Sequence, residues 1–131
     1  MLLRSSFGDS KVDYATTIAG LAERSNLPPA TIIPDFNAHK PFKTVFGAAV
    51  VAWMVLRSPA TVIVSTGAAP GLIALMVGRV TGRRTIWIDS IANPERLSLC
   101  GRLAGRFADL WLTQWEHLAK PGGPMFAGAV L

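Results

Sequence analysis

The chain reads as an α/β protein, a parallel sheet with helices on both faces. Three observations predict this. Thr61-Val62-Ile63-Val64-Ser65 is an unbroken β-branched run, the composition of a parallel strand covered on both sides. A glycine-bearing loop, Ser65 to Gly71, follows it and opens a helical pattern that ends near Gly82. A second strand pattern, Arg84 to Asp89, comes next, so strand and helix alternate as right-handed crossover connections require.

The remaining elements fit the same plan. Val12 to Thr16 and Thr31 to Ile33 are short strand patterns, separated by a helical turn or loop over Ile18 to Arg24. A helix is expected from about His39 to Leu56. Phe42, Phe46, Ala49, Trp53 and Leu56 recur on one face, and Pro59 stops it. Lys40 and Lys43 precede its apolar stretch and Arg57 follows. From Val45 to Leu56 no side chain is polar, yet this stretch is too short to span a bilayer, which needs about 20 apolar residues. It reads either as a crossover helix buried on the sheet or as one that also touches a membrane surface through a second apolar face.

After the loop at Ser65, a helix is expected over Gly71 to Val80, with Leu72, Leu75, Met76 and Val80 inward. In the strand over Arg84 to Asp89, Ile86 and Ile88 oppose Trp87. Ser90 to Leu97 is a loop. Ser98 is placed to cap a helix over Leu99 to Phe107, in which Leu99, Leu103 and Phe107 are four apart. A strand over Ala108 to Thr113, a helical turn over Gln114 to Lys120 and a last strand over Phe126 to Leu131 complete the chain. At 131 residues, with no repeat or linker, residues 1–131 form one domain with a real core.

Half of the residues are hydrophobic and 16% are charged, which excludes a disordered chain. Thirteen basic residues, nine of them Arg, face eight acidic ones, for a net charge of +5. Arginine favours phosphate-bearing or planar anions. Nucleic acid is not expected, because no zinc spacing, helix-turn-helix or aromatic–basic strand is present. The single cysteine, Cys100, allows no internal disulfide, which suits a reducing compartment, and it reads as a buried structural thiol. Met1 to Leu3 is too short an apolar start for a secretory signal.

Ligands of open parallel sheets bind beyond the carboxyl ends of the strands. Three loops should meet there: Ser65–Gly71, Ser90–Leu97 and Gln114–Lys120. The first runs into a helix N-terminus, where free amides and the dipole attract anions. Gly67 and Gly71 would admit a ligand to the backbone, with Ser65, Thr66 and Ala68 around it. The dinucleotide pattern G-x-G-x-x-G fails, since Ala69 and Leu72 stand where it needs glycines. No P-loop lysine follows either, and His39 and His117 show no metal spacing. No catalytic residue, metal or cofactor is expected. Arg102 and Arg106 share a helical face, and Arg96 lies just before it.

The second half resembles a known family. The residues that carry the likeness are Val64-Ser65-Thr66-Gly67-Ala68, Ile86-Trp87-Ile88-Asp89-Ser90, Ser98-Leu99-Cys100-Gly101-Arg102-Leu103, Ala108-Asp109-Leu110, Gln114-Trp115-Glu116-His117-Leu118 and Gly128. They are similar to the acceptor-side subunits of split GT-B glycosyltransferases, including the membrane-anchoring subunit of the UDP-N-acetylglucosamine transferase that acts on dolichol-linked GlcNAc and its bacterial exopolysaccharide counterparts. The resemblance covers Thr61 to Leu131. Gln-Trp-Glu after the Ala-Asp strand is its most specific element.

The likeness implies one Rossmann-like half of a GT-B enzyme, holding a lipid-diphosphate acceptor at the cytoplasmic face of a membrane as a peripheral protein. A separate subunit, similar to the C-terminal half, would bind the UDP-sugar. Ser65, Thr66, Gly67, Ala68 and Gly71 would contact acceptor or phosphate. Asp89, Ser90, Arg96, Arg102, Gln114, Trp115 and Glu116 would line the cleft or face the partner. Asp89 stands where the family more often has Glu. The family's first strand and its Gly-Gly-His loop have no match in Met1 to Thr17, so the first strand is expected to be missing and activity alone is not expected. A non-catalytic α/β binding or scaffold domain, or a truncated remnant, is the alternative.

Overall fold

The structure, a computed structural model, describes residues 7–35, 41–92 and 94–128. In chain order it holds β1 (Ala15–Thr16), α1 (Leu21–Arg24), β2 (Thr31–Ile32), α2 (Pro41–Arg57), β3 (Val62–Ser65) and α3 (Ala68–Val80). Then follow β4 (Arg84–Ile88), α4 (Leu99–Ala104), β5 (Leu110–Thr113), a 3₁₀ turn (Glu116–Leu118) and β6 (Met125–Phe126). Among the described residues every strand pair is parallel. β1 pairs with β2, and β3, β4, β5 and β6 lie side by side in sequence order.

Helix α3 lies at the centre of the packing. Leu72 and Leu75 on it pack with Trp87 of β4 and Ala104 of α4, and Met76, Cys100, Phe107 and Trp111 close around them. Ala74 on its flank packs with Val51 and Val55 of α2 and with Ile33 just after β2. Ile63 of β3 joins both groups. Gly78 makes the close approach of α3 to the sheet possible, because a Cβ there would fall 2.5 Å from Ile63 Cδ1 and 3.3 Å from Thr85 Cγ2. Glycine is tolerated in mid-helix here, despite its usual cost, because the gap it leaves is filled by the sheet.

The ends of α3 follow from local chemistry. Gly82 takes φ +76°, its N–H donates to Arg79 O at 3.2 Å, and Arg83 N–H donates to Gly78 O at 2.9 Å. This pair of bonds is the Schellman arrangement that glycine favours after a helix. The Arg83 guanidinium then reaches back to α2 and donates to Val55 O at 2.5 Å and Ser58 O at 2.8 Å. One arginine thus ties the turn after α3 to carbonyls at the end of α2 and just beyond it.

Several expectations are corrected. The stripe expected to bury α2 points outward: Phe42 is 91% exposed, Phe46 67% and Trp53 59%, and Leu56 and Ala49 are exposed with them. The buried face is Gly47, Val51 and Val55, at steps of four. Small and β-branched residues let α2 lie close against α3, and the aromatic side is displaced to the outside. The Arg57 guanidinium sits 5.0 Å above the Trp53 ring, a cation–π contact. Similarly, Leu99 and Leu103 of α4 are exposed, while Gly101 and Ala104 face inward. Val80, expected inward on α3, is exposed because it falls on the outer side of the last turn. β1 is shorter than expected and begins at Ala15, α3 begins at Ala68 instead of Gly71, and α4 stops at Ala104. Residues 129–131 of the expected last strand and His39 and Lys40 of the expected helix start lie outside the described residues.

Candidate functional site

The three loops at the carboxyl ends of β3, β4 and β5 do meet. A Cβ on Gly67 would lie 3.7 Å from Ser90 Cβ, which joins the first loop to the second. Gln114 Nε2 donates to Asp89 O at 3.2 Å, and His117 Nε2 lies 2.5 Å from Pro94 O. These two contacts join the second loop to the third. The result is one continuous rim.

On the first loop the backbone is unusual. Gly67 has φ +131°, and Ala68 follows with φ +63°. The left-handed region is costly for alanine, and such residues concentrate at functional turns. The amino end of α3 has no side-chain cap. In its first turn Pro70 has no N–H, and the amides of Ala68 and Ala69 are without a side-chain acceptor, at the positive end of a 13-residue helix. Thr66 and Ala68 are exposed beside them and Gly67 is half-buried. This segment can receive an anion through backbone donors.

Two expected contacts of this loop turn inward. Ser65 is buried, and its hydroxyl stays within the loop, accepting from Gly67 N at 3.3 Å. Gly71 is glycine for the same reason: a Cβ on it would collide with Ser65 Oγ and come within 3.1 Å of Ser65 Cβ. The space beside Gly71 is filled by the Ser65 side chain.

On the second loop, Asp89 is 2% exposed, so its side chain does not face a cleft. Trp87 Nε1 donates to Oδ1 at 3.2 Å, Ser98 Oγ donates to Oδ1 at 3.0 Å and Ser98 N donates to Oδ2 at 3.4 Å. Ser98 Oγ in turn accepts from Gly101 N at 2.8 Å and caps α4 as its sequence position suggests. The carboxylate thus anchors the start of α4 to the end of β4. Burial first, and the charge of Asp89 second, hold the Cys100 thiol above its ordinary pKa. A neutral thiol is a poor nucleophile. Ser90 is half-buried, and its hydroxyl accepts from Ala92 N at 3.2 Å. Arg96 is exposed on the loop and Arg102 on the outer face of α4.

On the third loop, Gln114 is 4% exposed and, like Asp89, serves the rim from inside. Glu116 is exposed and Trp115 half-buried, with the Trp115 ring 6.1 Å from that of His117. The outward-facing members of the expected set are therefore Thr66, Ala68, Arg96, Arg102 and Glu116, with Gly67, Ser90 and Trp115 partly covered. The His117–Pro94 contact and the strained Ala68 were not foreseen. A glycine at position 68 would have signalled the positive φ, but alanine gives no such sign. Among the described residues no group of three or more His, Cys, Asp or Glu could hold a metal ion.

At the opposite end of the sheet a second polar group is structural. Asp109 accepts from Thr85 N at 2.9 Å and pairs with Arg79, while Thr85 Oγ1 donates to Phe107 O at 2.6 Å. The bond from Thr85 N–H is the main cause that holds the Asp109 carboxyl below the usual carboxylate range, against partial desolvation and with the Thr85 hydroxyl and Arg79 adding to it.

Comparison with known proteins agrees with the architecture. The fold resembles the crystal structure of MurG from Acinetobacter baumannii, with a TM-score of 0.73 and 12% identity over 95% of this chain and 39% of that one. The chain is similar to the UDP-N-acetylglucosamine transferase subunit ALG14 of Eremothecium gossypii, 37% identical over 81 residues. That match takes in 57% of this chain and 36% of the relative, so the aligned part spans about a third of the relative's length. The family model described as "Oligosaccharide biosynthesis protein Alg14 like" matches residues 29–127, a span that contains the whole rim. The chain belongs to this Alg14-like family of oligosaccharide biosynthesis proteins.

Proposed function

We propose that this chain supplies the acceptor and membrane side of a two-part glycosyltransferase. A separate subunit, equivalent to the C-terminal half of a GT-B enzyme, binds the UDP-sugar. The sugar passes to a polyprenyl-diphosphate-linked acceptor in polysaccharide or glycan biosynthesis. The observation that carries this reading is the uncapped amino end of α3 at the rim of a chain of the Alg14-like family. Backbone amides of Ala68 and Ala69 take the acceptor's phosphate, and Arg96 and Arg102 add charge to the approach. Ser90, Trp115 and Glu116 line the side of the rim that meets the partner. Asp89 and Gln114 position it from below. No general base is assigned to this chain.

Attachment to the cytoplasmic face of the membrane is peripheral in this reading. No helix among the described residues is long and apolar enough to cross a membrane. Helix α2 instead offers the outward stripe of Phe42, Val45, Phe46, Trp53 and Leu56, with Lys43 and Arg57 beside it. Apolar side chains flanked by cations suit an anionic lipid surface.

The test is co-expression with a nucleotide-sugar-binding half-protein, followed by transfer from a UDP-sugar to a polyprenyl-diphosphate acceptor. A complex should form and transfer should occur. The double variant R96A/R102A, altered only at exposed positions, should lower transfer by about tenfold, which corresponds to about 1.4 kcal/mol of transition-state stabilisation. A complex that transfers equally well with the variant would remove the arginines from the reading. Absence of both complex and transfer would leave the stand-alone binding domain in its place.

A further inference from the structure

The third loop of the rim carries Trp115, Glu116 and His117 in succession. β5 ends at Thr113, whose Oγ1 accepts from Trp115 N at 3.2 Å. Gln114 is buried beneath the loop and bonded to Asp89 O. The chain then enters the 3₁₀ turn, which leaves Glu116 and His117 exposed and the Trp115 ring half-buried. The Trp115 and His117 rings stand 6.1 Å apart at 50°, so they form an angled wall. His117 Nε2 lies 2.5 Å from Pro94 O. A carbonyl only accepts, so Nε2 carries the proton, and in the neutral ring Nδ1 is an acceptor.

Trp115 differs from a packing tryptophan. Trp87 is fully buried and donates to Asp89 Oδ1 at 3.2 Å, as buried indoles usually do. Trp115 Nε1 is buried without a hydrogen-bond partner, although its ring reaches the surface. An unpaired buried donor costs free energy, and a ring needed for packing alone would be better as phenylalanine. Trp111 Nε1 is unpaired too, but that ring packs against Gly105 at the far end of α4 and belongs to the core.

The place of the loop fits the reaction. In the two-part reading the donor sugar arrives from the partner, so the acceptor's reacting hydroxyl must be presented on the side where Trp115 and Glu116 stand. β3 and β5 are two strand spacings apart, about 10 Å. A sugar one diphosphate away from the amides of Ala68 and Ala69 can therefore lie over the third loop.

We propose that Trp115, Glu116 and His117 form the subsite for the sugar ring of the acceptor. The pyranose packs its C–H face against the Trp115 ring. Its hydroxyls donate to the Glu116 carboxylate and to His117 Nδ1, and one of its oxygens accepts from Trp115 Nε1 as the ring turns outward. The inference rests on the acceptor reading given above, and the test separates the two.

The probes are glucose, galactose and N-acetylglucosamine 1-phosphates, titrated into the isotope-labelled 131-residue chain beside inorganic phosphate and followed by NMR. Inorganic phosphate should move the amide signals of Ala68 and Ala69. At least one sugar phosphate should bind about tenfold more tightly than inorganic phosphate and should also move the Trp115 indole N–H signal, which is identified by its loss in Trp115→Phe. That variant should lose most of the gain from the sugar and keep its affinity for inorganic phosphate. Glu116→Ala, at an exposed position outside the core, should do the same and covers the case in which Trp115→Phe does not fold. Phosphate binding at Ala68 and Ala69, with no gain from any sugar and an unmoved Trp115 signal, would overturn the proposal and leave the acceptor reading standing. So would a sugar gain that survives in both variants. No binding of any probe would overturn both.

Discussion

Asp89 and Ser98 hold each other twice, through the Ser98 hydroxyl on Oδ1 at 3.0 Å and the Ser98 N–H on Oδ2 at 3.4 Å. The two contacts tie β4 to the first turn of α4 across the loop that carries Arg96. Ser98→Ala should cost about 1 kcal/mol through the lost cap. Asp89→Ala should cost about 3 kcal/mol, because buried donors of Trp87 and Ser98 lose their acceptor. The two losses should not add, since the residues share one network. Urea unfolding of both single variants and the double variant measures this, and strict additivity would contradict the coupling.

Ser65 and Gly71 fit as bump and hollow. Gly71→Ala should destabilise the chain by about 2 kcal/mol, the usual range for an overpacked site. Ser65→Gly in the same chain should restore part of that loss by emptying the space the new methyl needs. Thermal unfolding of the single and double variants decides it, and a double variant no better than Gly71→Ala alone would argue against the fit.

Ala68 carries a left-handed backbone at the entrance to α3. Ala68→Gly should raise stability by about 1 kcal/mol, the cost that Cβ imposes in that region. Should the variant instead be less stable, the exposed methyl would have to be making contacts that outweigh its strain.

The Asp109 carboxyl is held low in the folded state, chiefly by the Thr85 N–H. A lowered folded pKa gives stabilisation that is complete above the ordinary carboxylate range of the unfolded chain. It is lost as pH falls through the folded value. The stability gap between the native chain and Asp109→Asn should therefore be widest near neutral pH and narrow in acid. Denaturation curves taken in steps down through the acid range measure it, and a gap that stays constant would exclude this linkage.

The two faces of α2 can be separated experimentally. Val51→Ala, on the buried face, should cost about 2 kcal/mol and leave vesicle binding unchanged. Phe46→Ser, on the outward stripe, should change stability by no more than about 0.5 kcal/mol and weaken flotation with anionic liposomes. If Phe46→Ser floats as well as the native chain, the stripe is not the membrane contact.

The fold was legible in the sequence where side-chain character and backbone demand coincide. The β-branched residues of β3, the Trp87 strand, the Ser98 cap and the Gly82 stop each appear where composition places them. Which face of α2 is buried was not legible, because the stretch from Val45 to Leu56 is apolar all round and periodicity has no polar side to register against. Size decided it: Gly47, Val51 and Val55 permit a close approach that Phe46 and Trp53 prevent. The convergence of the three loops followed from parallel topology. The inward turn of Asp89, Ser65 and Gln114 did not, since a polar residue at a strand end looks the same whether it meets a ligand or a neighbouring helix cap.

The division of labour on α2 has a consequence for how such a chain can change over time. Fold and surface chemistry are assigned to different residues of a single helix: Gly47, Val51 and Val55 fix its seat, while Phe42, Phe46 and Trp53 are almost free of the core. Substitutions on the outer row can therefore change the exposed surface of the helix with little effect on its seat. The seat tolerates almost no enlargement. A lineage could retune that surface through a few aromatic positions and keep the same architecture.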